Sequence, residues 1–248
     1  PDPRQQFGNV PRAHLLKKAE QLMRRFPENR LIQHLVNKCA LSYSCPAARN
    51  LCLGRYEAPL PVSRACNARC VGCISQQEDG SKICATPQNR MAFTPTAAEI
   101  VEVMRYHQGN ETKAPIYSFG QGCEGEPLTE AKLIAEAVHS FRDQGGKGTV
   151  NINSNASMPG AVADLARAGL SLTSLRPESY KRYYRPVNYA FEDVLESIRT
   201  AKAHGLYVSL NLLFFPGFTD TEEEAEAIVS VVRQEKVDCI QLRNLNID

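Results

Sequence analysis

The sequence predicts a mixed α/β protein with a parallel sheet covered by helices, preceded by a helical segment. Three observations support this prediction. Apolar residues recur at helical spacing through the first part of the chain, and from Pro61 onward short strand-like apolar runs alternate with helical runs. This alternation favours parallel strands with helices outside. At 248 residues, the chain is also long enough to bury a sizeable core.

The N-terminal segment is expected to be helical as far as residue 57. Apolar side chains fall three and four residues apart from Val10 to Phe26, and the pattern repeats over residues 28–39. Pro46 is then expected to interrupt regular structure. We therefore predict a helical extension over residues 1–57 and a main domain over residues 58–248.

Strands and helices are expected to alternate through the main domain. Strand-like runs lie at 61–65, 115–120, 149–156, 207–215 and 238–247, with helical runs at 94–107, 128–141, 163–170, 191–205 and 219–234. A further strand is due after the third of these helices, but only Ser171–Leu175 is available and it is not very apolar. Either this strand is very short or residues are missing between Leu170 and Ser171, and we favour the second interpretation.

Composition narrows the classes of partner and compartment. The formal net charge of +2 and the even spread of Lys and Arg do not indicate nucleic acid or an acidic membrane surface. No apolar run approaches the ~18 residues of a membrane span, and the first residues, PDPRQQFGNV, lack a signal-peptide core. We expect a cytoplasmic protein whose sequence begins inside a longer chain, because it lacks an initial Met.

Nine cysteines are many for a chain without a secretory signal. An odd number cannot pair completely, and disulfides are rare in a reducing cytoplasm. The count therefore indicates metal or redox chemistry.

Three of these residues, Cys66, Cys70 and Cys73, form a C-x3-C-x2-C pattern after the first predicted strand. A loop at that position lies at the end of a parallel sheet where α/β barrels carry their active sites. Thiolate sulfur suits both iron–sulfur clusters and zinc. Three ligands on a four-iron cluster leave one iron open to a substrate, whereas structural zinc needs a fourth ligand from elsewhere. The pattern favours the cluster, and zinc stays the alternative.

This cysteine pattern resembles the signature of the radical S-adenosylmethionine (SAM) superfamily. Three later motifs follow in that family's order. Gly125–Glu126–Pro127 resembles the GGEP motif that holds the methionine amino group, with Glu124 in place of its first glycine. The segment NINSNAS resembles the family's NTNG segment, and FFPGFTDTEEE resembles its fifth-strand exit. The resemblance covers residues 61–248.

The resemblance implies a partial TIM-type (β/α)6 barrel with extra N-terminal helices. It also implies an enzyme that binds a 4Fe–4S cluster through Cys66, Cys70 and Cys73 and binds SAM on the open iron. Reductive cleavage of SAM would then give a 5′-deoxyadenosyl radical, which abstracts hydrogen from a small-molecule or peptide substrate. The implied electron donor is flavodoxin or ferredoxin.

Further cofactor-binding residues are expected at the ends of the strands: Gly125, Glu126, Pro127, Ser154, Asn155, Ser171 and Asn211. Glu126 is expected to accept a hydrogen bond from the methionine ammonium. Ser154, Asn155 and Ser171 are expected to bind the carboxylate or the ribose of SAM. Asn211 lies in an apolar run, where a polar side chain needs a partner. It either contacts the cofactor or satisfies a neighbouring strand end.

The other cysteines are less informative. Cys39, Cys45, Cys52 and Cys84 are candidate ligands of an auxiliary iron–sulfur cluster, but their spacing is weak and burial as small apolar residues is favoured. Cys123 is expected to fit a tight loop, with a thiol near the radical as the alternative. The five histidines show no metal-ligand spacing and are expected to be surface or packing residues.

Two functions from other classes stay open. One is a zinc-stabilised barrel protein with a binding role, which brown colour and labile sulfide in anaerobically purified protein would exclude. The other is an activase that makes a glycyl radical in a second protein, and the extra N-terminal helices argue against it.

Overall fold

The computed structural model of the protein describes residues 10–70, 73–75, 88–111, 113–167, 181, 184–214 and 221–244. In this part of the chain the elements follow the order α1 (Arg12–Arg25), α2 (Arg30–His34), a π-helix (Leu35–Ser42), α3 (Pro46–Leu53), β1 (Glu57–Pro59), α4 (Ala97–Asn110), β2 (Ile116–Phe119), a 3₁₀-helix (Pro127–Glu130), α5 (Ala131–Asp143), β3 (Thr149–Ile152), α6 (Pro159–Arg167), α7 (Phe191–Ala203), β4 (Ser209–Phe214), α8 (Glu222–Gln234) and β5 (Cys239–Asn244).

The described strands form two parallel sheets. One has the order β1–β2–β3, so that Ser118 of β2 lies between Pro59 and Asn151, and the other pairs β4 with β5. The predicted mixed α/β class is confirmed, although these five strands form no closed barrel. The strand predicted at Ser171–Leu175 and the expected break after Leu170 lie outside the described residues.

The first strand lies earlier than predicted. The sequence pattern predicted a strand over residues 61–65, whereas β1 ends at Pro59 and only the Leu60 N–H continues the pairing, at 2.8 Å from the Ser118 carbonyl. Pro61 has no N–H to donate. The N–H groups of Val62 and Ser63 are donated to the Glu124 carboxylate instead of to a strand. The Glu124 side chain, from the loop after β2, thus takes the place of the neighbouring strand as hydrogen-bond acceptor.

The N-terminal helices pack against α4. Asn29 caps α2 by accepting a hydrogen bond from the Ile32 N–H, and its own amide donates to the Glu99 carbonyl at 3.0 Å and to the Glu102 carboxylate at 2.8 Å. Pro46 was predicted to interrupt structure, but it begins α3. The first turn of a helix tolerates proline because its N–H would be unpaired there.

One continuous core joins the helical extension to the sheet. Tyr117 of β2 packs edge-on against Phe141 of α5 with ring centroids 5.2 Å apart, and Met104 of α4 is fully buried beside them. Leu31 and Leu51 extend the same apolar cluster into α2 and α3. No helix among the described residues has the length and apolar character needed to cross a bilayer.

Candidate functional site

The three-cysteine loop lies directly after β1, as predicted. Cys66, Cys70 and Cys73 are half-buried and form no disulfide with a described residue, and the Cys73 N–H donates to the Cys70 carbonyl at 3.3 Å. Neighbouring segments hold the loop on both sides, because the Val187 N–H donates to the Asn67 carbonyl at 3.0 Å and the Glu126 N–H donates to the preceding Ala65 carbonyl at 2.7 Å. Backbone contacts therefore hold residues 65–70 of the loop, and among the described residues no disulfide does so.

Electrostatic interactions indicate that these thiols are neighbours. Burial, together with the charges of Cys66 and Cys73, raises the pKa of the Cys70 thiol to about 12. Burial also raises the pKa of the Cys66 thiol, Glu126 acts in the same direction, and the nearby Arg90 guanidinium opposes them. The protein alone therefore keeps at least two of the thiols protonated, and a bound cation would have to displace those protons.

The Gly125–Glu126–Pro127 segment lies against the start of the cysteine loop. The Gly125 N–H donates to the Ser63 carbonyl at 2.8 Å, and a Cβ at position 125 would lie 1.8 Å from the Ala65 carbonyl oxygen. Only glycine fits this close approach. Pro127 then opens the 3₁₀-helix, and Glu126 is its cap.

Glu124, which replaces the first glycine of the motif, has a structural role that the sequence did not reveal. One carboxylate oxygen accepts the N–H groups of Val62 at 2.8 Å and Ser63 at 3.1 Å. The other accepts those of Gly120 at 2.5 Å and Gln121 at 3.0 Å. Burial raises the pKa of Glu124 to about 8, although the backbone donors oppose this shift. The side chain thus joins the loops that follow β1 and β2.

Glu126 connects the motif to the loop after β3. It is buried, and its carboxylate accepts the Ser154 hydroxyl at 2.6 Å, the Asn155 N–H at 2.8 Å and the Leu128 N–H at 3.0 Å. The Asn155 amide donates in turn to the Asn67 side chain at 2.9 Å. Burial raises the pKa of Glu126, against these three donors. The network runs from the predicted cofactor-binding residues into the cysteine loop.

Two other predicted residues have different outcomes. Asn211 lies in β4, and its side-chain oxygen is buried without a hydrogen-bond partner among the described residues. This oxygen makes no hydrogen bond to a neighbouring strand end among the described residues, and the role of Asn211 stays a prediction. Ser171 lies outside the described residues, as does Cys84.

Sequence reasoning missed Asn67 and Arg90. Asn67 lies between two of the cysteines, and its amide donates to the Ser157 hydroxyl at 2.8 Å. Arg90 reaches the loop from the other side and donates to the Ser75 hydroxyl at 3.4 Å. Asn67 could have been predicted because its amide directly follows the candidate ligand Cys66, whereas no local sequence pattern identifies Arg90.

A second group of candidate ligands lies on the N-terminal side of the Glu124–Pro127 segment. The sulfur atoms of Cys39 and Cys123 are 3.2 Å apart, and the Nε2 atom of His34 lies 3.4 Å from the Cys123 sulfur. We call His34, Cys39 and Cys123 the thiol–imidazole group. The sequence placed His34 among surface or packing residues and grouped Cys39 with Cys45, Cys52 and Cys84, because spacing along the chain does not show this proximity.

Comparison with known proteins places these features in a family. The family model described as Radical SAM superfamily matches residues 60–229, which is more than half of the chain. No curated protein sequence matches the chain.

Solved structures share the fold at low sequence identity. Native anSMEcpe with bound AdoMet has a TM-score of 0.58 and 13% identity, over 77% of this chain and 51% of that chain. SuiB of Streptococcus suis bound to the precursor peptide SuiA has a TM-score of 0.57 and 14% identity, over 86% and 43%. HydG, a maturase of the [FeFe]-hydrogenase, has a TM-score of 0.53 and 15% identity, over 96% and 60%. The chain spans about half the length of the first two.

Proposed function

Because the chain belongs to the radical SAM superfamily and is an enzyme of that class, we propose that Cys66, Cys70 and Cys73 hold its 4Fe–4S cluster. The observation that carries this proposal is a loop on which three half-buried cysteines lie close enough for their charges to influence one another's ionisation. Three thiols are the donor set that leaves one iron of a cubane open to SAM.

The chemistry supplied by the cluster when bound is one-electron cleavage of SAM to a 5′-deoxyadenosyl radical, which abstracts hydrogen from the substrate. The residues of the chain orient the reactants and tune the charge around them. Arg90 places a positive charge near Cys66, which favours the thiolate form that a metal requires.

We propose that Glu126 accepts the amino group of SAM. An ionised carboxylate offers about four acceptor positions, and Glu126 already uses three of them for Ser154, Asn155 and Leu128. These donors fix the orientation of the carboxylate and leave an acceptor position for an ammonium. Gly125 and Pro127 set its place in the backbone.

The side chains of Ser154 and Asn155 then lie beside the proposed amino-group site, where they bind the carboxylate or the ribose of SAM in our proposal. Asn211 joins this set because its buried side-chain oxygen has no partner among the described residues, and such an atom costs about 1–3 kcal/mol unless a ligand satisfies it. Ser171 is retained from the sequence alone.

The proposed architecture is a partial TIM-type (β/α)6 barrel over residues 58–248, preceded by the helical extension over 1–57. The parallel pairings within β1–β3 and between β4 and β5 support it, as does the similarity to solved radical SAM folds. The proposed substrate is a small molecule or a peptide, since SuiB, which shares the fold, binds a precursor peptide. Flavodoxin or ferredoxin is the proposed electron donor.

The test is anaerobic reconstitution with iron and sulfide, followed by dithionite, SAM and chromatography for 5′-deoxyadenosine. We expect the unsubstituted protein to form this product. A triple Cys66→Ala, Cys70→Ala, Cys73→Ala variant should form none, whereas Cys52→Ala, which changes a buried cysteine of α3, should retain activity. Equal activity in the triple variant would refute the assignment of the ligands.

A further inference from the structure

The thiol–imidazole group lies outside the proposed active site and is built as a metal site. Its three ligand atoms all lie within 4.8 Å of one another. Cys39 and Cys123 are only 3% and 4% exposed, and His34 is half-buried. Buried thiols and an imidazole that converge in this way match the ligand chemistry of zinc.

Three separate elements position these side chains. His34 is the last residue of α2, and its ring packs edge-on against Phe93 with centroids 5.9 Å apart. Cys39 follows five residues later within the π-helix, whose wider turns bond residues five apart. Cys123 comes from the loop after β2, where its carbonyl accepts the Met91 N–H at 2.8 Å. The group is therefore held by the fold and not by one mobile loop.

Cys45 is a candidate for a fourth ligand, although its sulfur lies outside the set of atoms that are within 4.8 Å of one another. Its N–H donates to the Cys39 carbonyl at 2.8 Å, which ties the two residues together between the π-helix and α3. It is also close enough to Cys39 and Cys123 for their charges to interact. We propose that His34, Cys39 and Cys123 bind one zinc ion as a structural site, separate from the three-cysteine loop, and that Cys45 supplies the fourth ligand by a small movement of its side chain.

The distances favour a single ion over the other ways of joining these side chains. On one tetrahedral zinc, two sulfurs lie about 3.8 Å apart and a sulfur and a nitrogen about 3.5 Å apart. The 3.4 Å between the His34 nitrogen and the Cys123 sulfur agrees with this geometry, and the two sulfurs, now 3.2 Å apart, would move apart by about 0.6 Å to bind the ion. A disulfide requires about 2.05 Å. Each ligand of an iron–sulfur cubane binds a different iron, which would hold the ligand atoms further apart.

The proposed ion would crosslink distant parts of the chain. His34 and Cys123 are 89 residues apart, and Cys123 directly precedes Glu124, which joins the loops after β1 and β2. Zinc at this position would fix the helical extension to the loop that carries the Glu124–Pro127 segment. In this proposal its role is structural, because the two thiols are buried away from solvent.

The proposal is tested with cobalt(II) and zinc(II) on the full chain carrying the triple substitution of Cys66, Cys70 and Cys73 by alanine. Removal of these thiols prevents an iron–sulfur cluster from obscuring the spectrum. We expect titration with cobalt(II) to give the ligand-field bands of tetrahedral cobalt and thiolate charge-transfer bands, saturating at one ion per chain, and zinc(II) to displace the ion. Added Cys39→Ser and Cys123→Ser substitutions should abolish both sets of bands, whereas Cys52→Ser should retain them.

A second measurement uses the intact side chains and does not depend on how the variants fold. A chelator should lower the melting temperature. Under partly denaturing conditions, where burial alone no longer protects Cys39 and Cys123, zinc should slow their alkylation, as read by peptide mass, and the chelator should restore it. Absence of a tetrahedral cobalt spectrum in folded protein, or its survival in the Cys39→Ser, Cys123→Ser variant, would overturn the proposal. So would a Cys39–Cys123 disulfide in the metal-free protein with no zinc uptake after reduction.

Discussion

The two groups of cysteines differ in how the chain brings them together. Cys66, Cys70 and Cys73 lie within one loop, are half-buried, and are evident from their spacing. The thiol–imidazole group combines α2, the π-helix and the loop after β2, and its two thiols are buried. An accessible local loop suits a metal that reacts, whereas a closed site assembled from distant segments suits one that stabilises. The segment from Cys123 to Glu126 connects the two.

The largest effect is expected from Gly125→Ala, which would disrupt the segment that connects the two groups of cysteines. The added Cβ would lie 1.8 Å from the Ala65 carbonyl oxygen, so the two loops must separate. We expect a loss of about 3 kcal/mol in the free energy of unfolding, measured by urea denaturation. Cluster loading should fall with it. The matched control is Gly109→Ala on α4, where an added Cβ meets nothing within 4 Å, and equal stability of the two variants would contradict the account.

Glu124→Gln should have the next largest effect, and it should be on stability. Each carboxylate oxygen accepts hydrogen bonds from two backbone N–H groups. In glutamine, an NH₂ group would replace one of these oxygens, and two backbone donors would then face a third donor. We expect a loss of about 2–3 kcal/mol, measured by urea denaturation. Glu130→Gln, at a half-buried carboxylate of the 3₁₀-helix, is the control and should lose little.

Glu126→Gln should weaken SAM binding more than it lowers stability. The neutral amide removes the charge that we propose binds the ammonium, although Ser154 and Leu128 can still donate to its oxygen. We expect about a 10–100-fold rise in Kd, or about 1.4–2.8 kcal/mol, measured by equilibrium dialysis of SAM against the cluster-loaded protein. An unchanged Kd in a correctly folded variant would rule out this role.

The smallest effect concerns the contact between the helical extension and α4. Arg30 donates to the two Glu99 oxygens at 2.9 and 2.7 Å. Burial alone would raise the pKa of Glu99, but the hydrogen bonds from Arg30 and from Thr96 outweigh it and lower the pKa to about 2. Because the pKa of Glu99 is lower in the folded state, its ionised form stabilises the fold. This contribution is complete at pH values above the pKa of about 4.5 in the unfolded chain, and it is lost as the pH falls toward 2.

The comparison uses the variant in which Cys66, Cys70 and Cys73 are replaced by alanine, with and without Glu99→Gln. The melting temperatures of these two proteins should differ slightly at pH 7. The difference should shrink between pH 4.5 and pH 2. A difference that stays constant across this interval would show that the charge of Glu99 contributes nothing.

Local patterns predicted the helices and the three-cysteine loop because their information lies within a few turns of chain. Long-range contacts explain the failures. Residues 61–65 were predicted to form a strand, but the Val62 N–H donates to the Glu124 carboxylate and not to a neighbouring strand. The local sequence pattern around Val62 cannot reveal this distant partner. Glu126 binds the loop after β3 as well as capping the 3₁₀-helix, and His34 meets Cys123 only in the folded chain. Sequence reasoning thus located the motif segments but not the side chains that join them.

The most direct test of this division is elemental analysis of anaerobically reconstituted protein for iron, sulfide and zinc. We predict about four iron atoms and one zinc ion per chain. The triple Cys66, Cys70 and Cys73→Ala variant should lose the iron and keep the zinc, and the Cys39→Ser, Cys123→Ser variant should do the reverse. Iron that persists in the triple variant, or iron and zinc that are always lost together, would contradict the account.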